Sequence, residues 1–280
     1  MLIYTKITEV QAFLDLARRN GKSIGFVPTM GALHPGHLSL IKTAKAECEV
    51  VVCSIFVNPT QFNDKNDLDR YPRMPETDAK MLETGGCDML FLPSVNEMYP
   101  QGSTAVQFHF GHIDQVLEAK HRPGHFNGVA QVVKRFFEIV QPNKAYFGSK
   151  DFQQTKIVQA LVQHMQSPIQ IVTCPILREA DGLAMSSRNT LLSPAERQLA
   201  GLIPGMMKQA VRIAKDQSIS QAKAFIQESI APHPAFKLDY FELCRATDLT
   251  LLQTAKADAG SIALIALFVG KIRLIDNLIV

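Results

Sequence analysis

Two histidines, His34 and His37 in the stretch "PTMGALHPGH", offer the first chemistry in the chain. They stand where an apolar run passes through Gly31 and Gly36 into a helical pattern, with no cysteine nearby. In open parallel sheets, ligands collect at the carboxyl ends of strands, where loops enter helices. A helix N-terminus there presents unpaired N–H groups and the positive end of a dipole, which suits phosphate. Gly31 and Gly36 would let the backbone approach a ligand closely. Two imidazoles can donate to phosphate oxygens whose charge grows during group transfer. The pattern is not a P-loop, because no G-K-[ST] follows. The plainer alternative is a pair of turn or capping residues. A zinc site would require a third ligand at recognisable spacing, which the stretch lacks.

The elements that must position this loop follow from the apolar periodicity. "SIGFVPT" (23–29) reads as a buried strand and "HLSLIKTAKAE" (37–47) as an amphipathic helix. Further strands are expected at 50–58, 88–93, 144–148 and 169–176, with helices at 75–86, 128–140 and 152–165 between them. Strands apolar on both faces and alternating with helices predict an α/β domain with a Rossmann-like, doubly wound parallel sheet. Near residue 177 the rhythm changes to helical runs (193–215, 220–230) followed by strands (236–244, 261–280). This places a catalytic domain at 1–176 and a smaller α+β domain at 177–280.

Composition narrows the class. The 280 residues are 46% hydrophobic and 20% charged, which suffices for a substantial core. A net charge of +3 with no block of like charges gives no ground for a nucleic-acid partner. The five cysteines are scattered without a C-x-x-C pair, as reduced thiols of a cytoplasmic protein would be. The start "MLIYTKITEV" lacks the layout of a signal peptide, and no apolar run approaches the ~20 residues of a membrane helix. A soluble intracellular protein without a membrane partner is expected.

The motifs together carry a resemblance. "PTMGALHPGH" matches the H-x-G-H signature of the nucleotidyltransferase superfamily. With "SIFVNPTQF" (54–62), "LDRYPR" (68–73), "RPGHFNGV" (122–129), "FGSKDFQQ" (147–154) and "DGLAMSSRN" (181–189), the chain resembles the pantoate–β-alanine ligase family. That resemblance implies synthesis of pantothenate from pantoate, β-alanine and ATP with Mg2+, through a pantoyl adenylate, by a cytoplasmic homodimer. It implies an ATP loop of Met30, Gly31, Ala32, Leu33, His34, Pro35, Gly36 and His37, with both histidines facing phosphates. The family description treats His37 as a catalytic acid. Charge stabilisation fits the chemistry better, since a carboxylate nucleophile has no proton to lose.

Gly148, Ser149, Lys150 and Asp151 open a second helix at the same sheet edge. Lys150 suits a point-charge contact to phosphate, and Asp151 suits ribose hydroxyls or magnesium. Met185, Ser186, Ser187 and Arg188 resemble the superfamily's KMSKS-type loop, whose hydroxyls and guanidinium would grip departing phosphates. The same match sets the Leu177 backbone against adenine. Catalytic roles fall to His34, His37, Lys150 and Arg188, and no protein residue is assigned as a metal ligand. Pantoate and β-alanine contacts fall to Gln61, Gln154, Asn58, Arg122 and His125, while residues 62–76 resemble the family's lid. A lid would keep water from a hydrolysable adenylate.

Two positions depart from the family pattern: Ala119 stands where Gly is frequent, and Asn127 where a basic residue is common. His109, His112, His121, His164 and His233 match no site motif. Three other readings share parts of the pattern. A transferase of AMP to a phosphorylated acceptor would lack "FVNPTQF" and "KDFQQ". A class I synthetase fragment would carry a basic anticodon-binding extension. A nucleotide sensor would have no need of intact histidines and "MSSR".

Overall fold

The computed structural model describes residues 1–63, 65–102, 106–253 and 256–280. Asp64, within the expected lid at 62–76, lies outside the described residues. The chain divides into two compact units. One comprises Met1–Phe110, Arg122–Ser149 and Gln154–Pro175; the other comprises Gly111–His121, Lys150–Gln153 and Ile176–Val280.

The first unit is built on six strands: β1 (Leu2–Tyr4), β2 (Ile24–Thr29), β3 (Val50–Ile55), β4 (Met89–Phe91), β5 (Lys144–Gly148) and β6 (Gln170–Cys174). All pairings are parallel and the order is β1-β4-β3-β2-β5-β6. From β2 the chain proceeds outward to β3 on one side and later to β5 on the other. That reversal is the topological switch point at which open α/β sheets bind ligands. The β2–β3 ladder runs the whole strand, from Ile24↔Val50 to Thr29↔Ile55. The β2–β5 ladder holds only Gly25↔Lys144 and Phe26↔Ala145. Pro28, two residues on, has no N–H with which to extend it.

Both sheet faces are covered, as the continuous apolar runs require. Helix Pro35–Glu47 buries Leu40, Ile41 and Ala44 against Val27, Val51 and Cys53. On the other face, Phe136 of helix His125–Val140 lies 5.5 Å from Phe26 and 6.2 Å from Phe91, ring centroid to centroid.

The second unit carries an antiparallel sheet, β10-β9-β7-β8, from β7 (Phe236–Arg245), β8 (Leu251–Leu252), β9 (Ser261–Val269) and β10 (Ile272–Ile279). Helices Ile203–Asp216 and Ile219–Ile230 bury Met207, Ala210, Ile219 and Ile226 in one core with Leu243, Ile265 and Leu267. The helical run expected at 193–215 is two helices, Pro194–Ala200 and Ile203–Asp216. Pro204 in the first turn of the second is tolerated there and could not continue the first. Among the described residues no helix is long and apolar enough to cross a membrane.

Candidate active site

In the first unit, the loop leaving β2 enters helix Pro35–Glu47 with His34 as its N-cap. The His34 Nδ1 accepts the Gly36 N–H at 3.2 Å, and the His37 Nδ1 accepts the His34 N–H at 3.3 Å. The pattern is a capping box in which two imidazoles replace the usual hydroxyl and carboxylate. The rings lie 4.0 Å apart, centroid to centroid. A nitrogen that accepts a backbone N–H carries no proton, so each neutral ring holds its proton on Nε2. Capping, offered by the sequence as an alternative to phosphate binding, engages Nδ1 and so is compatible with a donor role for Nε2. The helix's N–H groups are met at Nδ1, and the donor passes to Nε2.

The rest of the loop is equally tied. Thr29 Oγ1 accepts the Gly31 N–H at 3.2 Å. The buried Asp78 carboxylate accepts the N–H of Ala32 at 2.8 Å and of Leu33 at 2.7 Å. Gly31 takes φ +83°, and a Cβ there would sit 3.0 Å from Asp78 Oδ2, so both conformation and space call for glycine.

A second set surrounds the short helix Pro59–Gln61. Gln61 is buried; its Oε1 accepts from Asn58 Nδ2 at 3.1 Å, and its Nε2 lies 3.1 Å from Met30 Sδ. Asn58 is 1% exposed, and its Nδ2 also donates to the Gly128 carbonyl at 3.1 Å. Its Oδ1 accepts from the Tyr99 hydroxyl at 3.0 Å. The Asn58 amide is thus engaged in holding Gln61. Gly128 packs so tightly on this turn that a Cβ would fall 2.3 Å from the Thr60 carbonyl oxygen. Arg122 Nη1 donates to His125 Nε2 at 3.1 Å, because a guanidinium can only donate. His125 must then carry its proton on Nδ1, which donates to the Gln61 carbonyl at 2.8 Å.

Met30, Asn58, Gln61, Arg122 and His125 therefore belong to one bonded set. Gly148 ends the neighbouring strand β5, and Ser149 opens the short helix Ser149–Asp151 that follows it. Gln154, half-buried in the first turn of helix Phe152–His164, enters no hydrogen bond of that set.

In the second unit, Lys150, Ser186, Arg188, Asn189, Arg273 and Asp276 line one cleft. Asp276 is paired with Arg178 at 2.7 and 3.0 Å. Arg273 is held by Glu118 and Asp239 at 2.7–2.9 Å. Burial alone would lower the Arg273 pKa, but hydrogen bonds and charge from these two carboxylates outweigh it and leave the guanidinium above its ordinary value. Lys150 Nζ lies 3.8 Å from Asp151, and the Lys150 carbonyl accepts from Asn277 Nδ2 at 2.9 Å. Leu177 is exposed, and its carbonyl accepts the Met185 N–H at 3.0 Å, closing the hairpin that presents "MSSR". Ser186 caps the following turn, accepting the Arg188 N–H at 3.3 Å, and Ser187 is buried. Hydrogen bonds from Arg197 hold the Asp181 carboxyl below its ordinary pKa and fasten the same hairpin.

Sequence reasoning missed Asp78, Tyr99 and Gly128. Asp78 carried one faint signal, a position four residues before the buried Leu82 on the inward face of its helix. Gly128 fell inside the quoted motif "RPGHFNGV" without being singled out, and Tyr99 carried no signal, since its role arises only from tertiary contact.

Comparison with known proteins bears on this geometry. A family model described as pantoate-beta-alanine ligase matches residues 2–279. Pantothenate synthetase from Porphyromonas gingivalis is 45% identical over 278 residues, 99% of each chain. The Aquifex aeolicus protein of the same description is 46% identical over 279 residues, 99% of this chain and 98% of that one. Among solved structures, pantothenate synthetase from Thermus thermophilus matches with a TM-score of 0.91 at 40% identity, over 99% of each chain. Pantoate-beta-alanine ligase from Francisella tularensis, complexed with β-γ ATP and β-alanine, matches with a TM-score of 0.85 at 35% identity, over 100% of this chain and 97% of that one.

Proposed function

The chain belongs to the pantoate–β-alanine ligase family and is a ligase of pantothenate biosynthesis, and from that premise we propose how its residues divide the work. Pantoate carboxylate attacks the α-phosphorus of ATP and pyrophosphate leaves, giving pantoyl adenylate. The β-alanine amine then attacks the acyl carbon, AMP departs, and the amine loses its proton. Adenylation is required because a carboxylate is a poor electrophile. β-γ ATP and β-alanine are the ligands of the Francisella relative.

The observation that carries this reading is the reciprocal capping of His34 and His37 at the switch point of the sheet. Each neutral imidazole offers Nε2–H to phosphate oxygens, fixed before the substrate arrives. Loss of that proton would leave an imidazolate, so the geometry favours a stabilising donor over an acid for His37. Lys150 and Arg188 supply charge to the departing phosphates, with the Ser186 and Ser187 hydroxyls beside them. Gln61 and Gln154 read pantoate. The Gln61 amide nitrogen faces a thioether, a weak acceptor that a substrate oxygen can replace. Asn58, Arg122 and His125 act through Gln61 by holding its turn.

Among the described residues no group of three or more His, Cys, Asp or Glu forms a ready metal cage. Mg2+ binds chiefly through nucleotide phosphates and one or two carboxylates. Asp151 would hold it, and when bound it would offset the negative charge of the phosphates.

The test is product analysis with all three substrates. Pantothenate, AMP and pyrophosphate should appear in equal amounts; ADP and phosphate in their place would contradict the reading.

A further inference from the structure

Asp78 lies outside every motif that the nucleotide reading uses, on helix Pro75–Thr84, and is 1% exposed. A carboxylate at such depth is costly unless its lone pairs are met. Here Oδ2 meets the Ala32 N–H and Oδ1 the Leu33 N–H, at 2.8 and 2.7 Å. Those amides directly follow Gly31, whose φ is +83°. Ala32 itself takes φ +49°, a left-handed conformation that a residue with a Cβ resists. Such a conformation persists only where its surroundings impose it. A carboxylate behind a phosphate site also repels the ligand, so attraction to ATP cannot account for it.

We propose that Asp78 is a positioning residue for the phosphate loop: its carboxylate clamps the Ala32 and Leu33 amides and so aims the imidazoles of His34 and His37. The proposal rests on the nucleotide reading above. It also makes helix Pro75–Thr84, which begins at the C-terminal end of segment 62–76, the anchor of that loop.

Asp78→Asn keeps the volume but turns an NH₂ group toward one of the two amides. The tests are pantoate-dependent ATP–pyrophosphate exchange, with kcat and KM separated, and amide hydrogen exchange. In Asp78→Asn, kcat should fall about 10²-fold, the scale of a small misplacement of reacting groups. The KM for ATP should move by less than about threefold, because the aimed donors act chiefly in the transition state. The Ala32 and Leu33 amides should lose protection while Val27 and Val52 keep theirs. In a His34→Ala background the same substitution should cost less than about fivefold, since the group it places is gone. If Asp78→Asn folds poorly, Asp78→Glu keeps the charge and should show the same split between kcat and KM. An unchanged kcat, protected Ala32 and Leu33 amides, or full additivity with His34→Ala would overturn the clamp. Normal exchange in His34→Ala alone would instead defeat the phosphate reading of the histidines, while the Asp78→Asn kcat and the amide protection still decide the clamp.

Discussion

Each loop histidine caps the helix and, on the proposed reading, also donates to phosphate, so substitutions can separate the two tasks. His34→Ala or His37→Ala should slow adenylate formation by about 10²- to 10³-fold, the scale of one lost preorganised donor. Stability should fall by only about 1–2 kcal/mol, the scale of a lost cap. His34→Asn should recover most of that stability, because asparagine caps well, without recovering the rate. Rate measurements beside urea titrations would expose a purely structural role if rate and stability returned together. Gln61→Ala should weaken pantoate use while leaving ATP affinity nearly intact, since a site built on hydrogen bonds discriminates strongly when they go unpaired. Lys150→Ala should do the reverse. Titration with ATP alone, then with pantoate plus a non-hydrolysable analogue, would show the pockets exchanged if Gln61→Ala lost ATP binding. The histidines were legible because G-x-x-H-x-G-H at a strand end has local meaning. Gln61 was legible only through family resemblance, and Asp78 hardly at all, because its partners lie 45 and 46 residues away.

At the scale of elements, two joints present the candidate site residues. Gly128 lets helix His125–Val140 close on the turn that carries Gln61. Gly128→Ala should push that turn away, costing about 1–3 kcal/mol as overpacking does. It should also raise the KM for pantoate more than that for ATP; equal effects on both would argue against a local joint. The hairpin before "MSSR" depends on Asp181, whose carboxyl titrates below its ordinary value because Arg197 holds it. Its contribution is present above the unfolded-state pKa of about 3.9 and is lost as pH falls through the lower folded value. The melting temperature of Asp181→Asn should therefore lie below that of the parent chain at pH 7 and converge with it in acid. A constant gap down to pH 3 would contradict this. The buried strands were legible because they are continuous apolar runs. Strand β1 was not read, since three residues with an exposed Leu2 and Ile3 make no recognisable period. The break at Gly201–Leu202 was masked by apolar residues that continue across it.

At the scale of the whole molecule, the alternation of strands and helices made the parallel sheet legible. The interleaving of Gly111–His121 and Lys150–Gln153 with the C-terminal unit was not, because it depends on contacts distant in sequence such as Arg273 with Glu118. All five cysteines are buried and free, with burial raising Cys87 to about 11 and Cys244 to about 12. The native chain should therefore resist thiol reagents at pH 8, and all five should react after denaturation. The central claim concerns order: pantoate is activated before β-alanine is used. ATP–pyrophosphate exchange tests it most directly, with each substrate supplied in turn. Exchange that appears with pantoate alone, and is absent with β-alanine alone, is the predicted result. Exchange that required β-alanine would contradict the two-step reaction.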